Sequence, residues 1–393
     1  MHFGLAVTDG MKGDRMNELS LEKLELREIE MPLKAPFKTS FGTSLKRRML
    51  IIRVTDRDGA CGYGECTAPE EPFFNHETID TAWQIVRDFV APMLAGTRVD
   101  EAGDISGVLA PIRGNRMAIA GVETAIWDLE ARKRNLPLWQ HLGGTQEQIN
   151  CGVSIGLQES PEILLEKVTR EVESGYQRIK LKIKPGEDIE LVKIIRSNFP
   201  NIKLSVDANS AYLLDRDVKI FQKLDDFGLL MIEQPLTAGD LVDHAKLQKQ
   251  IATPICLDES ITSVRDARHA LELGSCRIIN IKLGRVGGHS EARAIQSFAA
   301  ENGVPVWCGG MLESGIGRAQ NIAMSTLPGF TLPGDVSASA RYWEEDIIVP
   351  PVTVSSEGTI TAPTGVGIGY EVNASRIEEL TVRRETIPLT QQW

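Results

Sequence analysis

Five ionisable residues, Lys182, Asp207, Glu233, Asp258 and Lys282, follow one another at intervals of 25, 26, 25 and 24 residues. Each stands at the end of a short apolar run: RIKLKI, IKLSVD, LLMIE, PICLD and RIINIK. One strand, one helix and two loops occupy about that length, so the spacing predicts consecutive βα units, each delivering one charged group from the carboxyl end of its strand. In an open parallel sheet those ends spread along an edge, whereas in a barrel they converge on one mouth. Convergence is the simpler explanation of the regular interval.

Three carboxylates on adjacent strands, aimed into one pocket, raise one another's proton affinity steeply, so positive charge should stand among them. An all-oxygen site without thiolate or imidazole suits a hard octahedral cation, Mg²⁺ with Mn²⁺ as a substitute. Asp207, Glu233 and Asp258 are therefore candidate metal ligands, although any one alone would as readily cap a helix. Lys182 precedes them and Lys282 follows, on opposite sides of the mouth. A lysine that acts as a base must fall from about 10.4 to about 7 or 8, a cost of about 4 kcal/mol that neighbouring positive charge and partial burial can supply. These parts together suit abstraction of a proton α to a carboxylate, with the cation taking up charge as the enediolate forms. A Schiff-base aldolase would also need a barrel lysine, but not the three acids.

The runs at 151–155 and 304–310 extend the series to seven strands, and the predicted fold class is α/β, a modified TIM-type (β/α) barrel of seven to eight strands over 146–345. Upstream, 20–33 and 48–55 read as strands of an antiparallel meander with a turn at Asp58-Gly59. Helices are predicted at 77–92 and at 117–133, where Ile119, Val122, Ile126 and Leu129 recur before Arg132, Lys133 and Arg134. Pro137 and Gly143-Gly144 then break the chain. The predicted division is an α+β capping domain over 1–145, the barrel over 146–345, and a segment over 346–393 that packs back on the capping domain. Residues 1–15, patternless before Met16, read as a dispensable extension. The stretch from Phe37 through Ser40, Phe41 and Gly42 to Thr43 is aromatic for a hairpin tip, and is either a plain turn or a lid over the mouth.

Composition excludes several classes. The 393 residues carry 43 Lys+Arg against 54 Asp+Glu, a net charge of -11, with no basic stripe interleaved with aromatics, so nucleic-acid binding is disfavoured. No apolar run reaches the roughly 18 residues of a membrane span, and the first residues are too charged for a signal peptide. Six scattered cysteines without a Cys-x-x-Cys pair read as reduced thiols in the cytoplasm, without zinc. The six histidines are dispersed and are expected at surface or capping positions. Gly62-x-Gly64 and Gly315-x-Gly317 do not complete a nucleotide-binding loop.

With the five charged residues stand Ala120-Gly121-Val122-Glu123-Thr124-Ala125-Ile126-Trp127-Asp128, Lys180-Leu181-Lys182, Asp207-Ala208-Asn209, Glu233-Gln234-Pro235, Asp258-Glu259-Ser260 and Asn280-Ile281-Lys282. On these motifs the chain from about residue 20 onward resembles the enolase superfamily, in its muconate-lactonizing-enzyme-like subgroup. The resemblance implies that Lys182 and Lys282 are the acid/base pair and that Asp207, Glu233 and Asp258 hold Mg²⁺. Three further stretches, APFKTSFGT at 35–43, NIKLGRVGG at 280–288 and WCGGMLESGIGRA at 307–319, resemble the o-succinylbenzoate synthase / N-succinylamino acid racemase family. That likeness implies dehydration of 2-succinyl-6-hydroxy-2,4-cyclohexadiene-1-carboxylate in menaquinone biosynthesis, racemisation of N-succinylamino acids, or both through a shared first step. Arg285 resembles the arrangement in members that also racemise, and is by that likeness a candidate substrate-binding residue. A barrel that binds a dicarboxylate without turnover is the non-enzymatic alternative. A homo-oligomer acting on a small dicarboxylate, with no nucleic-acid or membrane partner, is expected.

The remaining candidates would bind substrate. Lys180 could position a carboxylate or lie solvated on the rim. Asn209, two residues beyond Asp207, points to the same side and could touch substrate or support the ligand. Gly309 and Gly310, followed by Met311, could offer backbone N–H groups to a distal succinyl carboxylate or simply permit a tight turn. Ser154 ends the first barrel strand and is expected to line the pocket.

Overall fold

Leu24 and Leu26, buried between half-buried Glu25 and Arg27, show the period of two that makes Leu21–Lys38 a strand. A register shift against the last strand at Glu28/Ile29 coincides with a change of buried face to Ile29 and Met31. The computed structural model describes residues 18–39 and 42–390; the expected extension over 1–15 and the lid residues Ser40 and Phe41 lie outside the described residues. Thr43–Asp56 and Cys61–Cys66 continue the antiparallel sheet, and Gly59, at φ 87°, donates its N–H to Asp56 at 2.9 Å to close the predicted turn. The fourth strand is the tail segment Thr381–Pro388, which pairs with the first strand from Lys23↔Pro388 onward.

The helix expected over 77–92 runs over 79–94, with a π turn at Val86–Val90. The stronger helix is Arg116–Lys133, started by the Glu77 carboxylate, which accepts the N–H groups of Met117 and Ala118. Its pattern predicted a single apolar stripe, yet it is buried almost all round. The reason is tertiary: the helix lies against the antiparallel sheet and also reaches the barrel. A Cβ on Gly62 or Gly64 would stand 2.1 Å from the carbonyl oxygens of Ala125 or Gly121, so these glycines let helix and strand backbones meet.

Seven parallel strands form the second sheet in sequence order: Gly152–Ile155, Arg178–Lys182, Lys203–Asp207, Ile232–Glu233, Ile255–Leu257, Ile278–Ile281 and Val306–Cys308. Segment 330–334 closes the ring. Gly152 donates to the Gly334 carbonyl at 2.6 Å on one side, and Phe330 bridges Val306 on the other. The architecture is thus the expected modified (β/α) barrel with a separate antiparallel capping sheet. Connecting helices begin at side-chain caps such as Ser160, Asp240 and Ser263.

Two buried carboxylates join sheet and barrel. Glu65 accepts from Ser314 and Gly317 at the start of the helix Gly315–Ser325, and burial pushes it up to about 7. Glu123 accepts from the N–H groups of His289 and Ser290 at 2.7 and 2.9 Å, capping the helix His289–Glu301. Among the described residues no helix is long and apolar enough to cross a membrane. All six cysteines are unpaired.

The histidine expectation needs correction, because His244 and His289 are fully buried and bonded internally. Burial drives His289 down to about 4, below its ordinary value of about 6.5. The unfolded chain therefore takes up this proton first, so the stability that His289 contributes is present above pH ~6.5 and is lost as pH falls toward 4. We predict that His289→Gln flattens the acid limb of unfolding free energy between pH ~6.5 and 4 by up to about 3 kcal/mol, measured by denaturant titration at each pH.

Candidate active site

Lys182, Asp207 and Glu233 are the last residues of three adjacent strands, and pairing sets Lys182 opposite Asp207 and Asp207 opposite Glu233. Asp258 and Lys282 follow their strands by one residue. Asp258 lies two residues beyond Cys256, the partner of Glu233, and so faces the same way. The three carboxylates are buried. Burial, and then the charges of Asp207 and Asp258, push Glu233 up to about 8. Asp207 and Asp258 feel the same burial, but the combined charges of Lys182 and Lys180 on the one and of Lys282 and Arg285 on the other outweigh it and hold both below their ordinary range.

The cations are interleaved with these acids. Lys182 Nζ donates to Asp207 Oδ2 and to Asn209 Oδ1, both at 2.6 Å. Lys282 Nζ donates to Asp258 Oδ2 at 2.7 Å and lies 5.0 Å from the centre of the Phe74 ring. Burial pulls Lys282 down, but the carboxylates of Asp258, Glu259 and Glu233 outweigh burial and hold it above its ordinary value. Arg178, Lys180, Lys182, Lys282 and Arg285 face Asp207, Glu233, Asp258, Glu259 and Asp335, so the network carries as many cationic groups as carboxyl groups.

A cavity of about 400 Å³ opens over this network, walled by Lys182, Asn209, Lys282, Gly310 and Met311 from the barrel and by Phe37, Gly42 and Thr43 from the first hairpin. Asn209 thus reaches the cavity while bonding Lys182, and its amide also donates to Glu259 at 3.0 Å. Three expectations are corrected by geometry. Lys180 is neither solvated nor in the cavity wall; it is buried beneath the acids, 2.6 Å from Asp335 and 2.7 Å from Glu233, over the Trp307 ring. Arg285 is equally committed, to Asp258 and to the carbonyls of Ile261 and Asn280, so it touches Asp258 rather than the cavity. Ser154 is buried beside Lys180 in register and is not in the cavity wall.

The expectation for Gly309 is corrected as well, because its N–H is used on the Ile281 carbonyl and cannot serve a ligand. Its role is space. A Cβ there would stand 2.3 Å from Asn280 Oδ1 and 2.6 Å from Lys282 Cε. We predict that Gly309→Ala, by displacing the Lys282 stem, lowers kcat at least about tenfold while the melting temperature moves by only a few degrees. Steady-state kinetics beside thermal unfolding would check this, and unchanged kcat would show that the lysine has room to move.

Sequence spacing missed Asn280, Glu259, Asp335 and Arg47. Asn280 donates to Glu233 Oε1 at 2.8 Å, and its motif position beside Lys282 was a usable signal. Asp335 follows the last of the regular intervals, and Arg47 lies in the first hairpin, outside the barrel repeat.

Three buried carboxylates without thiolate or imidazole fit a hard dication chemically, and a bound cation would offset the burial and the like charge that raise Glu233. Among the described residues no three acidic, imidazole or thiol groups already stand as a formed ligand shell; the ammonium groups take the carboxylate oxygens instead.

Comparison with known proteins agrees with this geometry. Residues 23–143 match the mandelate racemase / muconate lactonizing enzyme N-terminal domain, and residues 164–376 match the enolase C-terminal domain-like family. The chain is 52% identical over 363 residues to an o-succinylbenzoate synthase of Geobacillus kaustophilus, covering 92% of this chain and 96% of that protein. It is 45% identical to an N-succinylamino acid racemase of Thermus thermophilus, covering 93% and 98%. A crystal structure of an enolase superfamily member from Listeria innocua superposes with a TM-score of 0.91 at 44% identity, over 94% of this chain and 100% of that one. Two domain matches in the expected order, on a barrel whose strand ends gather lysines and acids at one mouth, place the chain in the mandelate racemase / muconate lactonizing enzyme family of the enolase superfamily.

Proposed function

We propose that this chain is a Mg²⁺-dependent enzyme that removes a proton α to a carboxylate, and that its reaction is the o-succinylbenzoate synthase dehydration of 2-succinyl-6-hydroxy-2,4-cyclohexadiene-1-carboxylate. The observation that carries this reading is that Lys182 and Lys282, 100 residues apart in sequence and on opposite flanks of the acid row, both open into one cavity. Asp207, Glu233 and Asp258 are the proposed ligands, and the cation, when bound, neutralises charge that develops on the substrate carboxylate. A dication and a dicarboxylate entering together preserve the charge balance of the network.

Lys182 takes the α-proton, held toward the substrate by Asn209. The same ammonium then returns a proton to the departing hydroxyl, so the C–H and C–O bonds break and water leaves. Lys282 remains charged on the opposite face, with Asp258 fixing its position. Phe37, Gly42 and Thr43, which wall the cavity, support the reading of this stretch as a lid; the proposed domain limits are 1–145, 146–345 and 346–393, in a cytoplasmic homo-oligomer.

Racemisation of N-succinylamino acids is the second reading, favoured by the presence of a lysine on each flank of the same cavity, since inversion needs a group on each face. Incubation with each substrate and Mg²⁺ in deuterated water tests both. Water loss from the cyclohexadiene supports the first, and α-deuterium with inversion in the succinylamino acid supports the second. Absence of exchange in both would leave a binding barrel without turnover.

A further inference from the structure

One guanidinium in the cavity wall has no counter-ion among the described residues. Arg47 lies on the strand Thr43–Asp56, is 8% exposed, and lines the cavity that holds Lys182 and Lys282. Its one hydrogen bond among the described residues runs from Nη2 to the Thr67 carbonyl at 3.0 Å, and its buried Nε has no partner. Buried guanidinium groups are ordinarily paired, because leaving N–H donors unmet costs free energy.

The nearby acids do not meet that need. Glu65 spends its oxygens on Ser314 and Gly317, and Glu313 accepts from Met311 and Asn321. They act on Arg47 through space, as Glu70 does, and none of them forms an ion pair with it among the described residues. Lys46, the neighbouring cation, is half exposed and bound to Glu30, so it is not an equivalent anchor.

The surroundings define the ligand. Met311 and Leu312 offer apolar contact in the same wall, suited to a short methylene chain, and a planar guanidinium with free donors matches a carboxylate. Glu70 and Glu71, also in the wall, disfavour a more highly charged group such as a phosphate. We propose that Arg47 binds the second, non-reacting carboxylate of the substrate and so selects succinyl compounds over their uncharged analogues. This deepens the reading of the site as one for succinyl dicarboxylates and rests on it.

The test compares an N-succinylamino acid with the analogue whose distal carboxylate is replaced by a primary amide, together with direct calorimetric binding of succinate to the Mg²⁺-loaded protein. Arg47→Gln should raise KM for the succinyl substrate about 10- to 100-fold, with a smaller change in kcat, and should affect the amide at least tenfold less. Arg47→Lys should recover part of the lost affinity, which also serves if the Gln variant fails to fold. Equal losses on both substrates would mean that Arg47 only balances Glu65 and Glu313, and would overturn the proposal. So would succinate binding that is unaltered in either variant. If the wild type turns over neither compound, the racemase reading fails and the dehydration reading stands on its own test, while the succinate titrations still decide the role of Arg47.

Discussion

Lys282→Arg will lose racemisation by at least about 10³-fold, yet will retain measurably more dehydration than Lys182→Arg. The two lysines approach from opposite flanks of the acid row, so a planar enediolate between them meets one on each face. Inversion requires one lysine to take the proton and the other to return it, and Ala at either position should abolish it. Dehydration needs an acid and a base on one face only, with the other cation as a fixed charge. Guanidinium keeps that charge and does not release a proton near neutral pH, so Arg at 282 removes one role and preserves the other. Rates on both substrates, with circular dichroism and metal titration as controls, decide the matter. Equal loss of dehydration in two folded, metal-binding Arg variants would remove Lys182 as the dehydration base.

Chelation of divalent metal will abolish turnover, and Glu233→Gln will weaken Mg²⁺ binding at least about 100-fold without unfolding the barrel. Glu233 is the central acid of the three, fully buried between Asp207 and Asp258. Its oxygens meet Lys180 at 2.7 Å and Asn280 at 2.8 Å. The amide keeps the shape and can still accept one of those bonds, but it removes a full charge from the set. Stability should therefore change little, since the lost carboxylate was itself pushed toward protonation by burial and its acidic neighbours. Isothermal titration with Mg²⁺ and the Mg²⁺ dependence of the rate measure the effect. Full activity in the presence of excess chelator would refute the three acids as a metal site.

The positions of Lys182, Asp207, Glu233, Asp258 and Lys282 could be read from the chain because a βα unit has a nearly constant length and its strand ends share one mouth. The seven strands, the hairpin turn at Gly59 and the long helix Arg116–Lys133 were legible for the same local reason, since period, turn chemistry and capping act over a few residues. What the chain does not display is which side chain meets which across it. Lys180 and Lys182 share an alternating strand face and look equivalent, yet one is sunk among Asp335, Glu233 and Asp207 and the other reaches the cavity. Arg285 turns to Asp258, Glu65 and Glu123 cap helices more than 160 residues away, and Arg47 comes from the first hairpin into the barrel mouth without a counter-ion among the described residues. Charge at these sites is settled by burial and by neighbours brought together only when the capping sheet meets the barrel, and no local pattern encodes that meeting.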